Sequence, residues 1–188
     1  MSIPLLSKRL SLAASMVREG AFVADIGTDH GYLPISLLRC GKVRGAVLTD
    51  INEGPLKRAE RNVIAAGLRH KVDLRLTDGV RGLENMGITD IVICGMGGEL
   101  IAEILSAAGG LRDRSLNLIL QPMTRPEKLR AWLFENGFAI PEERYCTEAG
   151  KHYVCINARF TGSPTQYTPL DINFGNDITP DVDGARLE

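Results

Sequence analysis

Hydrophobic and polar positions follow two patterns along this chain, short apolar runs and longer stretches with helical spacing. Five β-rich runs have the length of a strand, at residues 22–26, 45–49, 72–76, 90–94 and 116–120, and the first has the apolar character of a buried strand. Between them lie helix-forming stretches, and a first amphipathic stretch at residues 7–18 precedes them. A regular alternation of strand and helix is typical of a parallel sheet with helices on both faces.

The C-terminal part of this pattern changes from alternation to two adjoining strands. Residues 138–145 and 153–160 predict strands on either side of Gly150, which we expect to pair as an antiparallel hairpin. Before them, Thr124 and Glu127 have the spacing of a capping box for a helix that ends at Asn136. The predicted fold is therefore α/β and Rossmann-like, a mostly parallel seven-stranded sheet with an antiparallel C-terminal hairpin.

Residues 1–162 predict a single domain, and residues 163–188 predict an irregular acidic tail. The tail is rich in Pro, Asp, Asn, Gly and Thr and shows no periodicity. It holds five of the 23 acids and one of the 22 bases, so residues 1–162 carry 18 acids and 21 bases. That excess of three positive charges is compatible with an RNA partner without predicting one.

Composition narrows the classes of protein to consider. No apolar run approaches the roughly 20 residues of a membrane span. Lys8 and Arg9 lie inside the first apolar stretch rather than before it, unlike a signal peptide, so we expect a cytoplasmic protein with no membrane partner. The four cysteines form no C-x-x-C pair, which predicts reduced thiols and no metal site: Cys40, Cys94, Cys146 and Cys155.

The loop after the first predicted strand points to a particular kind of cofactor. Its sequence, Asp25-Ile26-Gly27-Thr28-Asp29-His30-Gly31, departs from the G-x-G-x-x-G pattern of dinucleotide sites. A pyrophosphate at the following helix N-terminus would face Asp29, a like charge with no compensating base nearby in the sequence. The ammonium and sulfonium groups of S-adenosylmethionine (SAM) tolerate an acid there, so the loop favours SAM over NAD.

Acids also follow the second and third predicted strands. Asp50 is placed to accept hydrogen bonds from ribose hydroxyls, a geometry that serves NAD and SAM alike. Asp78 can accept a hydrogen bond from an adenine amine, and Gly79 leaves room for the base. Each acid alone is more often a helix cap or turn former, but acids at three successive strand ends favour a cofactor site.

The fourth predicted strand is followed by Gly95-Met96-Gly97-Gly98. Three glycines in four residues let the backbone line a flat ligand closely, or make a tight turn into the next helix. Met96 is equally compatible with packing and with a cofactor contact. His30 has no partner visible in the sequence, so we interpret it as a residue that shapes the loop or contacts the substrate.

Several strings in the chain closely resemble the bacterial tRNA adenine-22 N1-methyltransferase family. The resemblance covers residues 7–160. It is carried by Ala24-Asp25-Ile26-Gly27-Thr28-Asp29-His30-Gly31-Tyr32-Leu33-Pro34, Ile93-Cys94-Gly95-Met96-Gly97-Gly98-Glu99-Leu100, Leu118-Ile119-Leu120-Gln121-Pro122, Lys8-Arg9-Leu10 and Trp132-Leu133-Phe134-Glu135-Asn136-Gly137-Phe138.

The resemblance implies a class I, SAM-dependent methyltransferase that acts on N1 of adenine 22 in tRNA. The SAM contacts that we expect are Asp25, Gly27, Thr28, His30, Gly31, Asp50, Asn52, Asp78, Gly79, Gly95, Met96, Gly97 and Gly98. We expect the substrate contacts to be Arg9 at the mouth of the site, Tyr32, Gln121 and Pro122, with Gln121-Pro122 forming a turn.

We assign the catalytic role to Asp29. The adenine ring gains positive charge when N1 is methylated, and a carboxylate beside the ring stabilises that charge. Five bases are candidates either for holding tRNA phosphates or for a solvated helix face: Lys8, Arg9, Arg125, Lys128 and Arg130.

One departure from the family leaves alternatives open. Family members usually continue into a helical C-terminal domain associated with tRNA binding, and residues 163–188 show no helical period. A methyltransferase for another RNA or a small molecule is one alternative. A NAD-dependent oxidoreductase and a catalytically silent SAM- or RNA-binding module are others. The sequence leaves the oligomeric state open.

Overall fold

A computed structural model describes residues 5–108, 113–164 and 166–175. The strands are β1 (Ala21–Ile26), β2 (Val43–Asp50), β3 (Val72–Leu76), β4 (Asp90–Gly97), β5 (Asn117–Thr124), β6 (Phe138–Glu148) and β7 (Lys151–Phe160). The helices are α1 (Lys8–Met16), α2 (Tyr32–Arg39), α3 (Glu53–Ala65), α4 (Gly98–Ser106), α5 (Pro126–Glu135) and α6 (Pro169–Phe174). A 3-10 turn at Arg69–Lys71 precedes β3.

The strands form one seven-stranded sheet in the order β3-β2-β1-β4-β5-β7-β6. The first five strands pair in parallel, and β7 lies antiparallel between β5 and β6. This confirms the prediction of a mostly parallel sheet that ends in an antiparallel hairpin. Because β7 runs against β5, the tip of the hairpin lies at the same sheet edge as the carboxyl ends of the parallel strands.

The core has two layers, one on each face of the sheet. Successive residues of β5 belong to different layers. Leu118 packs in a cluster with Phe134 of α5, whereas Ile119 packs in a cluster with Leu12 of α1. Helices α4 and α5 cover the first face, and α1, α2 and α3 cover the second. The prediction of helices on both faces is confirmed.

The strands β4 and β5 extend beyond their predicted ends. They keep pairing after Gly95, where φ is +82° and the register shifts, so that Met96 pairs with Pro122. Gln121 and Pro122 are therefore buried strand residues, and the predicted turn at these positions is wrong. The local sequence did not reveal the bulge that lets this pairing continue.

The predicted capping box of α5 is also wrong. Thr124 is the last residue of β5, and α5 begins at Pro126 with no side-chain cap. Arg125 makes the connection at a φ of 57°. Proline suits the first turn of a helix because its missing N–H would be unpaired there in any case, so Pro126 fixes the helix start later than Thr124 suggests.

Part of the predicted irregular tail is helical. Thr168 caps α6 through a capping box with Asp171: each residue's side chain accepts a hydrogen bond from the other's backbone N–H. Tyr167 stacks on Phe134 at a centroid distance of 5.3 Å and donates a hydrogen bond to Glu135 at 3.0 Å. The expectation of irregular structure is thus wrong for this stretch, which docks on α5, and residues 176–188 lie outside the described residues.

Candidate cofactor-binding cleft

A cleft of about 590 Å³ opens at the carboxyl edge of the sheet, between α1, the loop after β1 and the end of β4. Its volume falls in the range of small-molecule sites. The predicted site residues that line it are Arg9, Asp25, Gly27, Thr28, Asp29, His30, Gly31, Tyr32, Gly95 and Met96. The structure thus gathers the β1 loop and the start of the β4 glycine string around one space.

Two glycines let the β1 loop turn within a crowded space. Gly27 and Gly31 have φ angles of +72° and +68°, in the left-handed region that favours glycine. A Cβ on Gly31 would lie 3.0 Å from the side chain of Leu48, and a Cβ on Gly27 would overlap the end of the Met96 side chain. Met96 therefore packs directly over the Gly27 backbone inside the cleft.

Asp25 is the buried acid of the cleft, with 8% of its surface exposed. Burial raises the pKa of Asp25 to about 6, because the charged form of the carboxyl is poorly solvated there. An unpaired buried carboxylate is costly, so this group is ready to accept a cationic ligand group that restores its charge.

Asp29 lies at the mouth of the cleft, where two side chains hold its carboxylate. Arg58 of α3 forms an ion pair with Oδ1, and His30 Nε2 lies 3.2 Å from Oδ2. The His30 ring stacks on Tyr32 with centroids 5.0 Å apart and an interplanar angle of 8°. The premise that Asp29 lacks a nearby base is therefore wrong, because folding brings Arg58 to it across 29 positions.

Arg9 connects α1 to β5 and to the tip of the β6–β7 hairpin. Its Nη1 donates a hydrogen bond to Gln121 Oε1 at 3.1 Å, and its Nε lies 3.8 Å from Glu148 Oε2. Glu148 Oε1 also accepts the backbone N–H of Lys8 at 3.0 Å. Gln121 itself is buried outside the cleft lining, so its contact is with Arg9 rather than with the cleft.

The ends of β2 and β3 lie outside the cleft lining, further along the same sheet edge. Asp50 Oδ1 accepts the backbone N–H of Asn52 at 2.7 Å, which fixes the turn into α3. Beside it, Ile51 and Leu76 are 65% and 59% exposed. These apolar side chains offer a surface for a flat base. No local pattern distinguishes them in the sequence, because Leu76 is simply the last residue of β3 and Ile51 the residue after β2.

Three other predicted glycine contacts are explained by packing within the protein. A Cβ on Gly79, which follows Asp78 after β3, would lie 3.0 Å from Ile104 of α4. A Cβ on Gly98 would overlap the carbonyl oxygen of Arg125, and one on Gly97 would lie 3.3 Å from Thr124 Oγ1. These positions and Pro122 do not line the cleft.

The five candidate phosphate-binding bases differ in availability. Arg130 is 2% exposed and forms an ion pair with Glu143 at 2.7 Å, so it neither holds a phosphate nor lies on a solvated helix face, and both alternatives are wrong for it. Lys8, Arg125 and Lys128 are exposed. Arg125 and Lys128 follow the carboxyl end of β5, and Lys8 begins α1 beside the hairpin tip, so these three lie on the cleft side of the molecule.

The described residues hold neither a cluster of potential metal ligands nor a helix suited to span a membrane. They contain no group of three or more His, Cys, Asp or Glu arranged to hold a metal ion. No helix among residues 5–108, 113–164 and 166–175 has the length and apolar character of a membrane span. The four cysteines are free thiols.

The charges of the cleft and the residue types at the adjoining strand ends suit SAM. The cleft combines acids with the cationic Arg9, which matches the zwitterionic amino-acid end of SAM. Asp50, Ile51 and Leu76 extend along the edge from the cleft and match a ribose and a base.

The sheet order separates this fold from the dinucleotide-binding folds, whose order is 3-2-1-4-5-6, because β7 is inserted antiparallel between β5 and β6. The family profile described as "Methyltransferase domain" matches residues 6–156. Fold and family together define a methyltransferase of the Rossmann-like class, and the oxidoreductase alternative is wrong.

Three relatives narrow the class. The tRNA (adenine(22)-N(1))-methyltransferase of Bacillus subtilis is 35% identical over 175 residues, which cover 93% of this chain and 74% of that protein. A Streptococcus pneumoniae protein assigned to the tRNA (m1A22) methyltransferases, solved with S-adenosyl-L-methionine, is 40% identical with a TM-score of 0.85, over 91% of this chain and 79% of that one.

TrmK of M. capricolum, solved with S-adenosyl-homocysteine, is 32% identical with a TM-score of 0.81, over 92% of this chain and 76% of that one. This chain belongs to the tRNA (adenine(22)-N(1))-methyltransferase family.

Proposed function

We propose that this protein transfers the methyl group of SAM to N1 of adenine 22 in tRNA. The observation that carries the proposal is a cleft suited to SAM in a chain 35% identical over 175 residues to a relative named for that reaction. We further propose that the protein acts in the cytoplasm and that residues 1–162 make up the methyltransferase domain.

The cofactor lies along the carboxyl edge of the sheet in this proposal. Asp50 accepts hydrogen bonds from the ribose, Ile51 packs on the adenine, and Asp78 accepts a hydrogen bond from its amine. The amino-acid end enters the cleft, where Asp25 faces the ammonium. Bound SAM supplies an electrophilic methyl group.

The target adenine needs orientation more than activation. Its N1 carries a lone pair in the neutral ring, so attack on the methyl group requires no prior deprotonation, and the protein contributes position and electrostatics. Asp29 accepts a hydrogen bond from the adenine amine and stabilises the positive charge that develops on the ring. Arg58 and His30 hold the carboxylate in place.

The target base must leave its stack to reach the cleft. N1 belongs to the Watson–Crick edge, so the base is unpaired or flipped out when it reacts. The stacked rings of His30 and Tyr32 provide a π-surface beside the cleft on which such a base can stack. Lys8, Arg125 and Lys128 are the exposed bases that hold the surrounding phosphates.

The decisive experiment measures methyl transfer from labelled SAM to unmodified tRNA transcripts that carry either A or G at position 22. We expect label only with A22, and mass spectrometry of a nuclease digest should place it on N1 of adenine. Label on the G22 transcript, or none on either while SAM still binds in calorimetry, would contradict the proposal and favour another RNA or a small-molecule acceptor.

A further inference from the structure

The geometry points to a cofactor role for Arg9, which lines the cleft, and to a supporting role for Glu148, which contacts α1 from outside the cleft lining. We infer that Arg9 binds the carboxylate of SAM, and that Glu148 is a positioning residue that holds α1 so that Arg9 faces that carboxylate. The inference rests on the proposed function and deepens it, because it moves Arg9 from the substrate to the cofactor.

The charges of the cleft identify Arg9 as the carboxylate partner. Among the described lining residues, Arg9 is the one Lys or Arg side chain. The other charged or titratable lining groups include Asp25, Asp29 and His30, and His30 already faces Asp29. The amino-acid end of SAM brings one ammonium and one carboxylate, so the buried Asp25 suits the ammonium and Arg9 suits the carboxylate.

The guanidinium of Arg9 is already held in place for such a ligand. Within the described part of the chain, its hydrogen bond and ion pair use Nη1 and Nε, which leaves the Nη2 donors for a carboxylate. The side chain of Arg9 lies over the backbone of Gly95, where a Cβ would be 3.6 Å from Nη1. A buried Gln121 fixes one end of this arrangement.

Glu148 fixes the other end from the tip of the β6–β7 hairpin. One carboxylate oxygen accepts the N–H of Lys8, the first residue of α1, whose N–H has no partner within the helix. The other oxygen lies 3.8 Å from Arg9 Nε. A single side chain therefore sets both the start of α1 and the direction of the Arg9 side chain.

The test compares SAM with decarboxylated SAM, which keeps the ammonium and sulfonium but lacks the carboxylate. Calorimetry should show that the wild-type protein binds SAM about 10–100-fold more tightly, the range for a hydrogen bond to a charged group. Arg9→Met should remove most of that preference, because the variant should bind SAM more weakly than the wild type does. Its affinity for decarboxylated SAM should be no lower than that of the wild type.

Glu148 is tested with two variants and a matched control. Glu148→Ala should reduce the preference for SAM by about threefold to tenfold, since it loses the contacts that hold Lys8 and Arg9 of α1. Glu148→Gln should keep the preference, because its amide oxygen still accepts the Lys8 N–H. Glu60→Gln, which removes an ion pair to Arg69 that is also 3.8 Å long but lies on α3, should leave both affinities unchanged.

Two results would overturn the inference. Equal weakening of both ligands by Arg9→Met would mean that Arg9 shapes the cleft rather than binding the carboxylate. An unchanged preference in Glu148→Ala would remove the positioning role of Glu148. Because these binding measurements need no tRNA, a protein that prefers SAM but fails to methylate the A22 transcript would contradict the proposed function alone.

Discussion

Asp25 couples the cleft to pH through its burial. An unfolded chain releases this proton near pH 4, whereas the folded protein keeps it until about pH 6. Folding therefore takes up a proton between these values, and the free energy of unfolding should fall as the pH rises through this window, by about 3 kcal/mol in total. Asp25→Asn should remove that dependence.

Urea unfolding of both proteins from pH 4 to pH 7.5 measures the difference. We expect the wild type to lose stability relative to Asp25→Asn up to about pH 6.5, and to run parallel to it above. Parallel curves over the whole range would show that Asp25 titrates alike in both states.

Asp29 should separate cofactor binding from catalysis. Asp29→Ala removes the carboxylate that faces the adenine, so we expect turnover to fall by about 10²–10⁴-fold while the affinity for SAM stays within a few-fold of the wild type. Calorimetry and single-turnover methyl transfer give the two values. Equal losses in both would make Asp29 a cofactor residue.

Residue-level chemistry was only partly visible in the sequence. The cleft-lining residues Asp25 and Gly27 to Tyr32 lie in one short stretch of chain, so their shared location follows from one loop after one strand. Arg58 and Glu148 were missed because they reach Asp29 and Lys8 across 29 and 140 positions. No local pattern marks a base or an acid for such a contact.

At the scale of elements, Gly98 determines how closely α4 approaches the start of α5. Helix propensity alone predicts that Gly98→Ala stabilises the protein by about 1 kcal/mol. We expect a loss of about 1–3 kcal/mol instead, because the new Cβ would overlap the Arg125 carbonyl oxygen, and a backbone atom cannot turn aside.

Urea unfolding measures this change, with Gly97→Ala as the neighbouring control. The Gly97 variant should lose less than about 1 kcal/mol, since its Cβ would meet only the Thr124 hydroxyl at 3.3 Å. A stabilised Gly98→Ala protein would mean that α4 and α5 can move apart freely.

Some element boundaries are set by tertiary contacts rather than by the local sequence pattern. β3 was predicted at residues 72–76 and lies there, because an alternation of apolar and polar residues marks a strand by itself. β4 and β5 were predicted too short, since their last pairs depend on a bulge at Gly95 that only the partner strand stabilises. Thr124 has the spacing of a capping-box residue relative to Glu127, but it is the last residue of β5.

At the scale of the whole molecule, Arg130 joins α5, β6 and the segment at residues 166–175. It pairs with buried Glu143 at 2.7 Å and donates a hydrogen bond to the Ile172 carbonyl at 3.0 Å. Arg130→Met removes the cation that neutralises Glu143, so we expect a loss of about 3–5 kcal/mol and faster amide hydrogen exchange in residues 166–175.

A matched control is Lys57→Met, which breaks an exposed pair with Glu53 on α3. It should change the free energy of unfolding by less than about 1 kcal/mol and leave exchange in residues 166–175 unaltered. If Arg130→Met behaves like this control, the buried pair and the docked segment are energetically independent.

The overall architecture was predictable because it depends on the order of strands and helices rather than on single contacts. Alternating elements gave the parallel part, and Gly150 between two β-rich stretches gave the hairpin. The position of α6 was not predictable, because a six-residue helix has too few turns to show a period.

The contact between Lys8 and Glu148 joins the two ends of the domain, so it can form only late in synthesis on the ribosome. The 140 residues between them take about 7–28 s to synthesise at the usual rate. During that time the apolar face of α1, with Leu12 and Met16, lacks the contacts with the late strands β5 and β7 that belong to the same cluster. The nascent chain therefore cannot fix the start of α1 through Glu148 until residue 148 has been translated, however early the first helix emerges.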